Sequence, residues 1–247
     1  MPVPFGQQVP TPKTTTVLNG TLEQKIDRFT IAELIQGWPC HRDAWNWKHF
    51  RDMFTNDAQL FTTWSAGKSI DGFIEVSQKG FANGDRIMHK CLGTTVEVNA
   101  TGQRGIGIVK TEITQRFESE AEGGGTCEVD VECQNRFVFF VEKQANGDWK
   151  TAYYKVFYEK DKVIPVDPRR IPKSAVRWQI NDDKLQTFPY GYRYLGYYQS
   201  LRGHAVKLDL PLADGEEHDR MYQAMCAWTD DEADRKTMDG LLGVERQ

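Results

Sequence analysis

The side chains best suited to chemistry in this sequence are two histidines and an aspartate, His41, Asp43 and His89. Three such side chains together can bind a metal ion. A histidine paired with an aspartate can instead move a proton, because the unperturbed pKa of imidazole, near 6.5, suits proton transfer at neutral pH. The residues from 41 to 89 show no recognised metal-binding spacing. We therefore favour acid–base work or simple ring packing and predict no metal.

Local motifs for other chemistries are absent from the sequence. It has no HExxH, CxxC, GxSxG, P-loop or dinucleotide GxGxxG motif. Gly105-Ile106-Gly107 lies inside a predicted strand, where a bend or bulge is the simpler interpretation. The five scattered cysteines are typical of buried thiols in a reduced intracellular protein. We predict a cytoplasmic protein that needs no cofactor.

Charge and hydropathy exclude several classes of partner. The 247 residues include 31 Lys and Arg against 35 Asp and Glu, so the formal net charge is −4. This balance argues against binding to nucleic acid or to an anionic membrane. No apolar stretch approaches the roughly 18 residues of a membrane span. The remaining partners are a small-molecule substrate and further copies of the chain.

The elements that must position these residues fall in two parts of the chain. Apolar residues at helical spacing predict helices over 22–36, 47–54 and 70–82, after a flexible leader at 1–20. From about residue 92 the period changes to two, and the run 126–142 alternates cleanly between apolar and polar residues. Such a run predicts an antiparallel sheet with one solvent-exposed face. Helices followed by a meander of strands predict an α+β fold.

The composition changes after Lys160. Three prolines mark a connecting segment, and a final amphipathic helix is predicted near 216–229. The later segment has many aromatic residues and few strand signals. We therefore divide the chain into a leader at 1–20, a main domain at 21–160 and a C-terminal extension at 161–247 that packs on that domain or on a dimer partner.

The segment IAELIQGWPCHRDAWNWKHFRDMFTNDAQLF, residues 31–61, resembles the opening of SnoaL-like proteins of the nuclear-transport-factor-two-like superfamily. Asp43, Trp47 and Met53-Phe54 fill positions of that pattern, and Ile70-Asp71-Gly72 and Arg86–His89 follow in the same order. The resemblance covers roughly residues 20–160. It implies a cone-shaped α+β barrel, in which a curved antiparallel sheet wraps around the N-terminal helices.

Within that group the chain looks most like scytalone dehydratase and the dehydrochlorinases, which use an Asp–His dyad. The resemblance assigns these catalytic roles to Asp43 and His89, which are 46 residues apart, so only the fold can bring them together. The carboxylate would hold the imidazole in one tautomer while the ring removes a proton. Two plainer interpretations remain open. Asp43 could cap the second helix, and His89 could be an ordinary histidine at a sheet edge.

The resemblance also supplies candidates for substrate binding, with departures from the dehydratase. Arg42 and Phe61 stand where that enzyme has two tyrosines, Thr114 lies near the position of its second pocket histidine, and Asn135 is the nearest counterpart of its pocket asparagine. The full candidate set is Arg42, Phe61, Trp64, Thr114, Asn135, Tyr153 and Lys155. Because the tyrosines are missing, the same phenolic substrate is not implied.

Three functions fit these observations. The leading hypothesis is a cofactor-independent lyase or isomerase, resembling a dehydratase, that acts on a small and largely apolar metabolite of secondary metabolism. The second is a polyketide or terpenoid cyclase that uses the pocket as a mould. The third is a non-catalytic binding or assembly module, since fold alone does not determine function. We also expect a homodimer or larger homo-oligomer that uses the outer face of the sheet.

Overall fold

The computed structural model describes residues 10–13, 15–120, 125–168 and 180–244. Of the predicted leader, residues 1–9 and 14 lie outside these ranges, as do residues 169–179 and 245–247 of the predicted extension. In the described part of the chain, no helix is both long enough and apolar enough to cross a membrane.

Three helices of the N-terminal part follow the predicted apolar spacing. They are α1 (Leu22–Gly37), α2 (Trp47–Asp52) and α3 (Ile70–Ala82). Thr21 begins α1 with a capping box: its hydroxyl accepts from the N–H of Gln24, and the Gln24 side chain accepts from the N–H of Thr21. On α1, Ile31 and Ile35 are buried, and the helix packs against the sheet.

A single mixed sheet forms the centre of the molecule, with strand order β1-β4-β5-β6-β7-β2-β3. Its strands are β1 (Thr15–Thr16), β2 (Phe54–Thr62), β3 (Ser65–Ser69), β4 (Arg86–Asn99), β5 (Arg104–Glu120), β6 (Thr126–Lys143) and β7 (Trp149–Pro165). The four long strands β4 to β7 form the antiparallel meander that the alternating pattern predicts. The predicted α+β class is confirmed.

One strand pair differs from the all-antiparallel prediction. β2 pairs with β7 in parallel, with Leu60 opposite Tyr154. α3 and four strands separate β2 from β7 along the chain, so no short turn forces them to run in opposite directions. β1 and β3 remain as edges, and the sheet therefore does not close into a barrel.

The residues after β7 form further helices that pack on the sheet. They are α4 (Asp182–Leu185), a 3-10 turn at Tyr190–Tyr192, α5 (Arg193–Leu201), α6 (Glu216–Thr229) and α7 (Arg235–Leu242). α6 spans the range that the sequence pattern predicts for the final amphipathic helix. α5 contacts β6 and β7, and α6 contacts β5. The extension thus shares its core with the strands.

Helices α6 and α7 cover part of the outer face of the sheet, the face that carries Phe140 and Tyr153. The indole Nε1 of Trp228 on α6 donates to the carbonyls of Gly105 at 3.2 Å and Val141 at 3.1 Å. Its ring meets those of Phe140 and Tyr153 edge to face. The expectation that this face serves a dimer needs correction here, because the chain's own helices occupy it. Dimerisation itself stays a prediction.

Gly191 offers a test of how tightly the extension packs on β7. A Cβ at this buried position would lie 2.3 Å from the backbone carbonyl oxygen of Tyr158. Gly191→Ala is expected to lower the free energy of unfolding by about 1–3 kcal/mol, because backbone atoms would have to move. Gly240→Ala on α7 is the control, since a Cβ there meets nothing within 4 Å. Equal stabilities of both variants in urea titrations would contradict the close packing.

Candidate active site

The segment between α1 and α2 presents Arg42 and Asp43. A π-helical turn, Trp38–Arg42, continues directly from α1, and such turns are frequent at functional sites. Trp45 then adopts a φ of 60°, a left-handed conformation that is rare for a bulky side chain. The cap position of α2 is Asn46. The hypothesis that Asp43 caps this helix is therefore wrong, and its carboxylate is used elsewhere.

Both oxygens of Asp43 contact His89 on β4. Oδ1 lies 2.8 Å from the ring nitrogen Nδ1, and Oδ2 accepts the backbone N–H of His89 at 2.7 Å. That N–H is available because β1 pairs with β4 only at Val98 and Asn99, which leaves the edge of β4 open at His89. The two contacts fix the ring and the carboxylate relative to each other.

The dyad favours one tautomer of the neutral imidazole. Nδ1 carries the proton when it donates to the carboxylate, which leaves Nε2 as a proton acceptor. Among the residues that the structure describes, Nε2 has no hydrogen-bond partner. The His89 side chain is only 6% exposed. A free acceptor nitrogen on a buried ring is what a general base requires.

Burial and neighbouring charges set the protonation states. Burial lowers the pKa of His89; Asp43 opposes this effect, and Arg42 adds to the lowering. For Asp43, burial raises the pKa, but His89 and then Arg42 outweigh it, so the pKa lies below its usual value. Burial also lowers the pKa of Arg42, whose Nη1 lies 3.4 Å from Asp43 Oδ1. At neutral pH the site therefore holds an anionic aspartate, a cationic arginine and a neutral histidine.

The His89 ring lines a cavity of about 30 Å³ inside the cone. Six of its sixteen lining residues are aromatic, and the rings of Trp38 and Tyr154 stack with centroids 4.0 Å apart. The aromatic lining consists of Trp38, Trp64, Phe73, Phe137, Tyr154 and Tyr158. A volume of 30 Å³ is about that of one water molecule. The cavity must therefore widen before it can hold a metabolite.

Several residues that line this cavity carry polar atoms without partners. Within the described ranges, five buried side-chain atoms of its lining have no hydrogen bond, although burying such an atom unpaired costs about 1–3 kcal/mol. They are Trp38 Nε1, Arg42 Nε, Gln115 Nε2, Tyr154 Oη and Gln199 Oε1. Native proteins rarely leave so many polar groups unpaired in one place. The lining thus has a surplus of hydrogen-bond donors for a ligand oxygen.

The structure brings together four of the nine residues that the sequence analysis selected. Asp43 contacts His89, and Arg42 and Trp64 line the cavity with His89. The other five lie outside its lining: Phe61, Thr114, Asn135, Tyr153 and Lys155.

Those five side chains have other environments. Lys155 donates to the carbonyl of Leu242 at 2.9 Å, and burial lowers its pKa to about 8. Its Nζ lies 5.0 Å from the centre of the Phe61 ring. The Tyr153 hydroxyl donates to Asp239 Oδ1 at 2.8 Å.

Asn135 and Thr114 also lie outside the lining of the cavity. The Asn135 amide donates to the carbonyl of Cys133 at 2.7 Å. Thr114 lies in a separate surface groove with Arg86 and Met88. For Phe61, Thr114, Tyr153 and Lys155 the physical reason is strand geometry, because successive side chains of a strand point to opposite faces. Asn135 shares its face of β6 with the cavity residue Phe137 and lies two residues further from the cavity. The residues that line the cavity are instead strand neighbours of the predicted ones: Thr62, Gln115, Tyr154 and Val156.

Sequence reasoning missed four of the five lining residues that carry an unpaired polar atom. Gln115 and Tyr154 directly follow the predicted Thr114 and Tyr153. Assigning the opposite face of each strand to the cavity would therefore have selected them. Trp38 lies one turn before Arg42, within the segment that carries the resemblance. Gln199 on α5 had no signal, because only the fold brings the extension to the cavity.

His41 does not join the other two residues considered for a metal site. Its ring stacks on His49 with centroids 5.4 Å apart, in a groove lined also by Gly37 and Met53. Among the described residues, no group of three or more His, Cys, Asp or Glu side chains has a metal-binding arrangement.

The sequence profile of the SnoaL-like domain matches residues 24–155, more than half of the chain. The chain belongs to the SnoaL-like family. Pea pathogenicity protein 2 from Fusarium vanettenii is 38% identical over 222 residues, which cover 87% of this chain and 90% of that protein. An uncharacterised protein from Aspergillus terreus is 39% identical over 217 residues, which cover 81% of this chain and 78% of the relative.

Among solved structures, a hexachlorocyclohexane dehydrochlorinase is similar with a TM-score of 0.47 and 13% sequence identity, covering 60% of this chain and 93% of that one. The match to the SnoaL-like domain contains Arg42, Asp43 and His89 and ends at Lys155. Gln199 lies beyond it. The cavity of this SnoaL-like protein is therefore completed by residues outside the family domain.

Proposed function

We propose that this SnoaL-like protein is a cofactor-independent lyase or isomerase that removes a proton from a small, largely apolar metabolite. The observation that carries the proposal is the contact of 2.8 Å between His89 Nδ1 and Asp43 Oδ1 at the wall of an aromatic cavity. A neutral, oriented imidazole with a free Nε2 is a general base. Proton removal beside an electron-withdrawing group is the step shared by elimination and isomerisation.

Each residue of the site has a defined part in this step. His89 Nε2 accepts the proton, and Asp43 stabilises the imidazolium that forms. The electron pair left on the substrate carbon moves onto the electron-withdrawing group, where Arg42 and neighbouring donors stabilise the negative charge. The site begins with one negative and one positive charge. After transfer, the new imidazolium balances the new anion, so the buried site stays neutral.

The cavity volume favours one alternative, a non-catalytic module. A cavity of about 30 Å³ is far smaller than the roughly 300 Å³ of an ordinary ligand pocket, as expected of a cone that serves only as a scaffold. A cyclase that uses the pocket as a mould is not favoured, because it needs a deep open cavity. The dyad and the unpaired donors favour the enzyme over the scaffold, because a scaffold has no use for them.

An activated probe tests proton removal without knowledge of the natural substrate. Loss of the C–H proton of 5-nitrobenzisoxazole breaks its N–O bond and releases a coloured cyanophenolate. We expect the protein to accelerate this reaction over acetate buffer at the same pH, without added metal or cofactor. A rate equal to that of buffer would favour the non-catalytic module.

The pH profile of that reaction follows from the His89 pKa. The base must be neutral, so the rate should fall as acid protonates the imidazole. Burial lowers the pKa from 6.5, which places the half-maximal rate below pH 6.5. Arg42→Gln should move this midpoint upward, because it removes a positive charge that opposes protonation. His41→Gln should leave the profile unchanged. A midpoint above 6.5 in the wild type would contradict the assignment.

A further inference from the structure

Two glutamine side chains meet at the cavity from different parts of the chain. Gln115 lies on β5 of the SnoaL-like domain, and Gln199 lies on α5 of the extension. Gln199 Nε2 donates to Gln115 Oε1 at 3.0 Å. The two residues are 0% and 3% exposed. This contact joins the extension to the wall that also carries His89.

The pair leaves one donor and one acceptor unused. Within the described part of the chain, Gln115 Nε2 and Gln199 Oε1 have no partner. Rotating both amides by 180° exchanges donor and acceptor in their mutual hydrogen bond. One N–H₂ group and one carbonyl oxygen are again left without a partner. The surplus of one donor and one acceptor therefore does not depend on how the amides are oriented.

We propose that Gln115 and Gln199 form a subsite that binds a hydroxyl group of the substrate. A hydroxyl can donate to the free carbonyl and accept from the free amide at once, whereas an ether or a ketone can only accept. The aromatic walls match a ring or another apolar body on the same molecule. The subsite rests on the proposed function in one respect, because it requires that the substrate binds in this cavity.

The subsite makes α5 a determinant of specificity. The helix is tied to the domain at both ends: Asp161 on β7 accepts the backbone N–H of Leu195 at 2.8 Å, and His204, just after the helix, lies 3.0 Å from buried Asp85. Because the cavity has room for only about one water molecule, a hydroxylated ligand must separate Gln199 from Gln115 or widen the space beside them. Binding should therefore replace the amide–amide contact with two contacts to the hydroxyl.

Matched fragments test the subsite in the full-length protein. Phenol carries a hydroxyl on an aromatic ring, and anisole has the same ring with its oxygen methylated. We expect phenol to bind about tenfold more tightly than anisole, as measured by ligand-observed NMR titration, because an unmet buried donor or acceptor weakens binding. Gln199→Leu and Gln115→Leu should each reduce this ratio to about one. Gln78→Leu, an exposed glutamine on α3, should leave it unchanged.

Further variants separate the possible failures. Gln199→Met keeps the length of the side chain and should lose the phenol preference while its circular dichroism spectrum stays native. The titration measures binding at equilibrium and needs no proton removal, so failure of the proposed chemistry would not affect it. Absence of phenol binding, or a ratio that survives both Gln→Leu changes, would overturn the subsite. The amides would then bind an ordered water only.

Discussion

Replacing His89 with alanine is expected to lower the rate of proton removal by about 10²–10⁴-fold, the range typical of general-base catalysis. The reason is that Nε2 of His89 is the only nitrogen of the dyad left free to accept a proton, since Nδ1 lies 2.8 Å from Asp43. The measurement is the initial rate with 5-nitrobenzisoxazole at pH 7.5, where the wild-type imidazole is neutral. His49→Ala is the matched control, because His49 is exposed and lies outside the cavity.

Asp43→Asn should be nearly as harmful, because an amide can hold the imidazole in the wrong tautomer. Asparagine keeps the size of the side chain and can still accept the backbone N–H of His89. The double variant should be little slower than either single one, since residues that act as one unit are not additive. Wild-type rates in either single variant would show that the dyad is not the base.

Truncation after Lys160 is expected to abolish stable folding. It would remove the end of β7 that pairs with Val129 to Cys133 of β6, and it would remove the helices that cover Phe140, Tyr153 and Phe157. Exposed together, these rings would form an apolar patch larger than monomeric proteins tolerate. Size-exclusion chromatography and circular dichroism should show an aggregated or poorly folded product.

Two matched proteins make the truncation interpretable. Removal of residues 245–247 alone should leave the protein folded, because all described contacts of the extension remain. Trp228→Ala should lower the free energy of unfolding by about 3–5 kcal/mol, since it empties a buried aromatic site on the sheet. A soluble truncated protein that keeps the wild-type rate would show that the extension is an independent attachment.

Much of the fold could be predicted from local sequence. The apolar spacing of residues 22–36 and 70–82 marks two helices that the structure contains, and the change to a period of two marks the long strands. These signals are local, because one face of each element is apolar along its own length. The resemblance to SnoaL-like proteins, carried by the ordered motif from Asp43 to His89, pointed to two residues that are in contact in the structure.

Which face of each strand lines the cavity could not be predicted from local sequence. β7 is buried on both sides from Thr151 to Tyr158, because α6 and α7 cover its outer face while the cavity and the helices cover its inner face. Hydrophobic alternation disappears when both faces are covered. The sequence therefore offered no means to choose Tyr154 over Tyr153, or Val156 over Lys155, as a cavity residue.

The sequence by itself determined the α+β class, the helices α1, α2, α3 and α6 and the long strands, because each leaves a periodic mark within a short segment. The two residues of the dyad came from the resemblance to SnoaL-like proteins. Only the tertiary structure decided which strand faces line the cavity and what closes it. Gln199 meets Gln115 across 84 residues of sequence, and no local pattern encodes that contact. It exists because packing of the aromatic extension on the sheet buries apolar surface, and that packing carries α5 to the cavity.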